Sequence, residues 1–211
     1  IDAGCRDVFL AGDPDAARAV AAETGSLLAG ELHAVKPADF DFDNSPAELV
    51  AVDLQGRSVV LSTTNGTAVI NRLRRRGPVL VGCIRNASAV ARAAVALAGE
   101  EAGSVRIVCA GREGLFVLDD AVAAGLIAQR LVEWAAARGD DADLSDSAKA
   151  AIRLRQSWPT LLAAMEDSDG GATLRRIGAP QDIDFCAGED LTTTVPIVRY
   201  EGRMRAVPLP D

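Results

Sequence analysis

The sequence predicts an α/β fold: a three-layer α/β/α arrangement around a mostly parallel or mixed sheet, in a single domain. Three observations carry that expectation. Short apolar runs recur that are continuous rather than alternating, the pattern of strands covered on both faces. Each run is followed by a turn of small polar residues and then a helix-periodic stretch, the alternation that builds a sheet with helices beside it. The chain of 211 residues is 49% hydrophobic but only 4% aromatic. Such a length supports a sizeable core, made here mainly of Ala, Val, Leu and Ile.

Taken in order, Val8-Phe9-Leu10 reads as the first strand, and Asp13-Pro14 as a helix start, a capping carboxylate before a proline at the first helical position. Ser26-Leu27-Leu28-Ala29 reads as a strand ending at Glu31. Residues 34–57 are rich in Pro, Asp and Asn and read as a long ordered loop. Three strand-turn-helix units follow. Ser58 to Ser62 leads through Thr63-Thr64-Asn65-Gly66-Thr67 into a helix to about Arg76. Val79-Leu80-Val81-Gly82 leads through Asn86-Ala87-Ser88 into a helix ending near Gly99. Val105 to Cys109 leads through Ala110 to Gly114 into a helix from about Val117 to Arg138. A further helix is expected from Asp146 to Met165, and a hairpin over Val195 to Val207 turning at Glu201-Gly202.

Composition excludes several classes of function. A net charge of −8 argues against a nucleic-acid partner, because phosphate backbones select basic surfaces. The cluster Arg72 with Arg74 to Arg76 reads as a helix end, where cations meet the negative end of the dipole. No apolar stretch reaches a membrane span, and no leader pattern opens the chain, so a cytoplasmic protein without a membrane partner is expected. Four cysteines without metal-ligand spacing, with Cys83 and Cys109 inside apolar runs, read as reduced and buried. The apolar fraction and small residues permit a homodimer.

The chemistry is expected in the turns leaving strand C-termini, which gather along one sheet edge where ligands bind. Thr63, Thr64, Asn65, Gly66 and Thr67 offer hydroxyls, an amide and a glycine that lets backbone approach a ligand, at a helix start whose N–H groups favour an anion. Asn86 and Ser88 repeat that arrangement, and each turn alone also reads as an ordinary helix cap. Gly111 and Gly114 loosen the third turn, before Asp119-Asp120 at a helix start. Paired carboxylates beside an anion site suit Mg2+; they also suit simple neutralisation of the helix dipole. Glu31 is a third candidate carboxylate, as metal ligand or general base. No Gly-rich loop ends in Lys-Ser or Lys-Thr, which excludes a P-loop enzyme. No cysteine precedes an arginine at the spacing of a cysteine phosphatase, and His33 is the only histidine. Asp41-Phe42-Asp43 and Asp182-Ile183-Asp184 read as turn or capping carboxylates.

Read in order, these segments resemble the 2-phosphosulfolactate phosphatase family. The carrying residues are Gly30-Glu31, Phe40 to Pro46, Val59 to Thr67, Leu80-Val81-Gly82, Asn86-Ala87-Ser88-Ala89-Val90, Val108 to Gly111, Leu118-Asp119-Asp120-Ala121, Asp146-Ser147-Ala148 and Asp182 to Ala187. The resemblance implies an α/β/α domain and magnesium-dependent release of phosphate from 2-phosphosulfolactate, a step toward coenzyme M. On this reading Glu31, Asp119 and Asp120 are the expected catalytic and metal-binding residues. Thr63 to Thr67, Asn86, Ser88, Gly111, Asn44 and Ser45 would then contact the small anionic phosphoester. This chain has Leu32-His33-Ala34 where the family carries Arg-Gly-Gly, and Val117-Leu118-Asp119-Asp120 where it carries Ser-Leu-Glu-Asp. The family's opening strand and Asp-, Arg- and Thr-rich turn would precede Ile1. The alternatives are a phosphatase for another phospho-hydroxy acid and a non-catalytic binder of a small anionic metabolite.

Overall fold

Strands β1 (Asp7–Ala11), β2 (Leu27–Gly30), β3 (Ser58–Ser62), β4 (Pro196–Glu201) and β5 (Arg203–Pro208) form one mixed sheet in the order β2-β3-β1-β5-β4. The computed structural model describes residues 1–73, 76–99 and 103–210. The α/β class read from the sequence is the one observed. Its contacts group into two compact units, one of residues 1–80 with 196–211 and one of residues 81–195.

In the first unit β1, β2 and β3 run parallel, while β5 pairs antiparallel with β1 and with β4. Successive residues of β3 face opposite sides, as strand geometry dictates. Val60 packs with Ala11, Ala17 and Phe40 on one side, and Val59 with Ala29 and Leu54 on the other. That two-sided burial is why the run is apolar without alternation. Helix α1 (Pro14–Thr24) starts where the sequence places it: the Asp13 carboxylate accepts the Ala16 N–H at 2.8 Å and Pro14 opens the first turn. The long loop contains one short helix, α2 (Pro46–Val50). Helix α3 (Gly66–Leu73) follows β3; the expected end of this helix reaches Arg74 and Arg75, which lie outside the described residues. The hairpin turns at Gly202, at φ 75°, as the sequence suggests.

The second unit is helical among the described residues: α4 (Ala87–Ala98), α5 (Leu118–Ala137), α6 (Asp146–Arg155), α7 (Leu161–Asp167), α8 (Asp169–Arg176) and α9 (Gln181–Ala187). Helix α5 buries Val122, Leu126 and Ile127, each worth roughly 2 kcal/mol relative to exposure. Its Gly125 lies against the Ala151 carbonyl of α6, an approach that leaves no room for a Cβ. No helix of the described residues is long and apolar enough to cross a membrane.

Four expectations are corrected. Val79-Leu80-Val81-Gly82 is not a strand of the sheet: Leu80 makes a single bridge to Ile197, and the Val198 N–H donates to the Val79 carbonyl at 2.9 Å. Val105 to Cys109 forms no ladder among the described residues, and Val105, Ile107 and Val108 are exposed. An apolar run records a tendency to pair, while pairing itself needs a neighbouring strand that local sequence does not specify. Cys83 and Cys109 are correspondingly exposed rather than buried. The single helix expected over Asp146 to Met165 is two, α6 and α7. Pro159 between them has no N–H to give and disfavours helix at the residue before it, and Thr160 then caps α7 by accepting the Ala163 N–H.

Candidate functional site

In the first unit, the chain after β2 turns sharply at Leu32-His33-Ala34-Val35. The Leu32 N–H donates to the Val35 carbonyl at 2.9 Å and the Val35 N–H to the Leu32 carbonyl at 3.1 Å. His33 and Ala34 have φ 53° and 62°, the two positive angles of a type I′ turn. Just before it, Gly30 has φ 141°, and a Cβ there would overlap the Ser62 carbonyl, so only glycine fits beside β3.

Glu31 organises this corner. One carboxylate oxygen accepts the Thr64 N–H at 2.7 Å; the other accepts the Thr64 hydroxyl at 2.8 Å and the Ala34 N–H at 2.8 Å. The Thr64 hydroxyl in turn accepts the His33 N–H at 3.0 Å. Glu31 is 9% exposed, and three donors offset the cost of burying its charge. Of the predicted residues, the structure thus brings Glu31 together with Thr64. Thr67 is buried and its hydroxyl donates to the Thr63 carbonyl at 3.0 Å, fastening the turn that opens α3. The Asn65 carbonyl accepts the Val69 N–H at 3.2 Å, and Gly66 begins the helix. Ser45 caps α2 by accepting the Glu48 N–H at 3.2 Å, and the Asn44 N–H donates to Asp43 at 2.6 Å.

In the second unit, Asn86 is 3% exposed and fully engaged: its side-chain oxygen accepts the Cys83 N–H at 2.9 Å, and its amide donates to the Val81 and Thr194 carbonyls. The Ser88 N–H and hydroxyl donate to the two oxygens of Asp190, at 2.7 and 2.6 Å. An anion does stand at the start of α4, as helix electrostatics favour, and it is a carboxylate of the chain itself. Arg130 lies 3.5 Å from the same Asp190 and also pairs with Glu133 and Glu189.

The third predicted turn closes like the first. The Arg112 N–H donates to the Leu115 carbonyl at 3.2 Å and the Leu115 N–H to the Arg112 carbonyl at 2.8 Å, with Glu113 and Gly114 at φ 53° and 79°. Asp120 ties this turn to α5 by accepting the Gly111 N–H at 2.6 Å. Asp119, in the first turn of α5, is different: its Oδ1 is buried with no hydrogen-bond partner among the described residues. Burial pushes its carboxyl above the usual range and the Asp120 charge adds to that, while the backbone N–H groups of Asp119 and Asp120 and the Arg112 guanidinium oppose it. Sequence reasoning missed what borders it. A Cβ at Gly170 of α8 would stand 2.5 Å from the Asp119 Oδ2, so the helix passes close beside this carboxylate. The signal was Ser168-Asp169-Gly170-Gly171, a capped helix start with two glycines that local propensity disfavours; the Ser168 hydroxyl accepts the Gly171 N–H at 2.9 Å.

Among the described residues no group of three or more His, Cys, Asp or Glu side chains is placed to enclose a metal ion. Magnesium asks for less, often one or two carboxylates with water and a substrate phosphate completing the octahedron. An orphaned buried oxygen on Asp119, with a second carboxylate on the next residue, meets that requirement.

The chain matches the family model described as 2-phosphosulpholactate phosphatase over residues 1–201. It is 37% identical over 198 residues to a Deinococcus radiodurans protein named probable 2-phosphosulfolactate phosphatase, covering 93% of this chain and 79% of that one. A Thermus thermophilus protein of the same name is 37% identical over 174 residues, covering 82% and 70%. A Thermotoga maritima protein so named is 37% identical over 173 residues, again covering 82% and 70%.

Proposed function

Because the chain belongs to the 2-phosphosulfolactate phosphatase family, we propose that it hydrolyses a small acidic phosphate monoester, 2-phosphosulfolactate, to sulfolactate and phosphate. The observation that carries this reading is the partnerless, buried Asp119 oxygen at the start of α5, beside the Asp120–Gly111 clasp. A desolvated carboxylate oxygen left without a donor costs stability, and a bound cation offsets that cost. Asp119 and Asp120 would hold Mg2+, which supplies a positive charge that polarises the phosphoryl group and favours attack at phosphorus.

Each side chain then has a part. Asp119 would contribute its free oxygen, and Asp120 fixes the turn. The Arg112 guanidinium, on that turn, is placed to offset charge on an anionic ester. Gly170 keeps the wall beside Asp119 free of side chain.

The test is phosphate release from a panel of phospho-hydroxy acids, 2-phosphosulfolactate and phospholactate among them, with magnesium and with chelator. Turnover of 2-phosphosulfolactate that chelator abolishes and magnesium restores is the expected result. No phosphate from any ester would overturn the reading, and turnover indifferent to chelator would remove the metal from it. Preference for phospholactate would point to the alternative substrate, which the Leu32-His33-Ala34 turn in place of a cation-bearing one favours.

A further inference from the structure

Helix α8 brings a second feature to the neighbourhood of Asp119. Three residues beyond Gly170 stands Thr173, and three beyond that Arg176, positions that share one side of a helix. The Thr173 hydroxyl lies 3.4 Å from the Arg112 Nη1 and 3.4 Å from the Arg176 Nη2. Two guanidinium groups therefore converge on one neutral hydroxyl. Neither has an ion-pair partner among the described residues, although the chain carries 30 acidic residues against 22 basic ones. Like charges repel at this separation, and a hydroxyl cannot neutralise them. Arg112 feels the Asp119 carboxylate, but among the described residues neither guanidinium has an anion within ion-pair distance.

We infer that Arg112 and Arg176, with Thr173 between them, form a subsite for the non-reacting acid group of the substrate, a sulfonate or carboxylate on the carbon chain that bears the phosphate. The guanidinium fork matches the paired oxygens of such a group. The step from Gly170, beside Asp119, to Thr173 is about 4.5 Å along the helix axis, the scale of a three-carbon acid. Arg112 spans both features: its turn is clasped by Asp120, and its charge acts on Asp119. The subsite rests on the proposed phosphatase reading for its substrate, and it selects doubly acidic esters over esters with no second acid.

The experiment separates the two ideas by using sulfolactate, which carries the acid groups and no phosphate. Calorimetry is run on the wild type, Arg112→Ala, Arg176→Ala and Arg112→Lys, each first confirmed folded by circular dichroism. Sulfolactate binding by the wild type that weakens about tenfold in each alanine variant, and less in Arg112→Lys, is the expected result. In turnover, the ratio of kcat/KM for 2-phosphosulfolactate to that for ethyl phosphate falls by the same factor in the alanine variants. Wild-type protein that does not bind sulfolactate, or variants that bind it equally well, would overturn the subsite. Turnover with no dependence on either arginine likewise removes the subsite and leaves the phosphatase reading standing. Arginine-dependent sulfolactate binding without turnover does the reverse.

Discussion

The turn at Leu32–Val35 and the turn at Arg112–Leu115 are the same backbone device used to different ends. Each closes with a reciprocal pair of hydrogen bonds and holds two residues at positive φ, and each has a carboxylate clasping it. At the first, Glu31 receives three donors and its charge is answered within the chain. At the second, Asp120 takes the clasping role and Asp119 keeps a buried oxygen unanswered. A carboxylate that is satisfied holds a fold together, and one that is not is available to a ligand.

The contrast breaks most plainly at Asp119. Asp119→Asn keeps the shape and removes the charge, so phosphate release should fall by about three orders of magnitude, with a melting temperature no lower than wild type. Retained activity, or a collapse in melting temperature, would place Asp119 with Glu31 as a structural group. Glu31→Gln should do the opposite. An amide donor replaces one acceptor facing three donors, costing about 2 kcal/mol, a melting point lower by roughly 4–8 °C. Calorimetric unfolding reads this directly, and an unchanged melting point would show the knot to be dispensable. The smallest effect sharpens the comparison of the turns themselves. Ala34 occupies a conformation that costs a non-glycine residue about 1 kcal/mol, while Gly114 meets the same demand without a side chain. Ala34→Gly should therefore raise stability by up to about 1 kcal/mol and Gly114→Ala lower it by a similar amount in denaturant titrations.

Legibility divided along the same physical line. The three parallel strands, the Asp13-Pro14 helix start and the Glu201-Gly202 hairpin are local signals, written in short windows of apolar pattern and turn chemistry. Val79 to Gly82 and Val105 to Cys109 carry the same apolar signal, but a strand exists only through a partner, and that information lies elsewhere in the chain. Pro159 is a local signal too, and it divides the stretch of 146–165 into two helices. In the site, Asp119 and Asp120 stood out as paired carboxylates at a helix start. Gly170, Thr173 and Arg176 did not, because fifty or more residues separate them from Asp119 and nothing local joins them. Asp190 at the start of α4 was missed for the same reason.

The pairing of β1 with β5 has a consequence for biosynthesis. Arg205 reaches Asp7 across 198 positions of sequence, at 3.0 Å, so β5, the neighbour of the central strand β1, is synthesised long after it. Until then β1 has one flank open, while the helices of residues 81–195 are already available to fold. Closure over so long a loop is slow, and a nascent chain arrested before residue 196 would offer that bare flank to chaperones or to other chains.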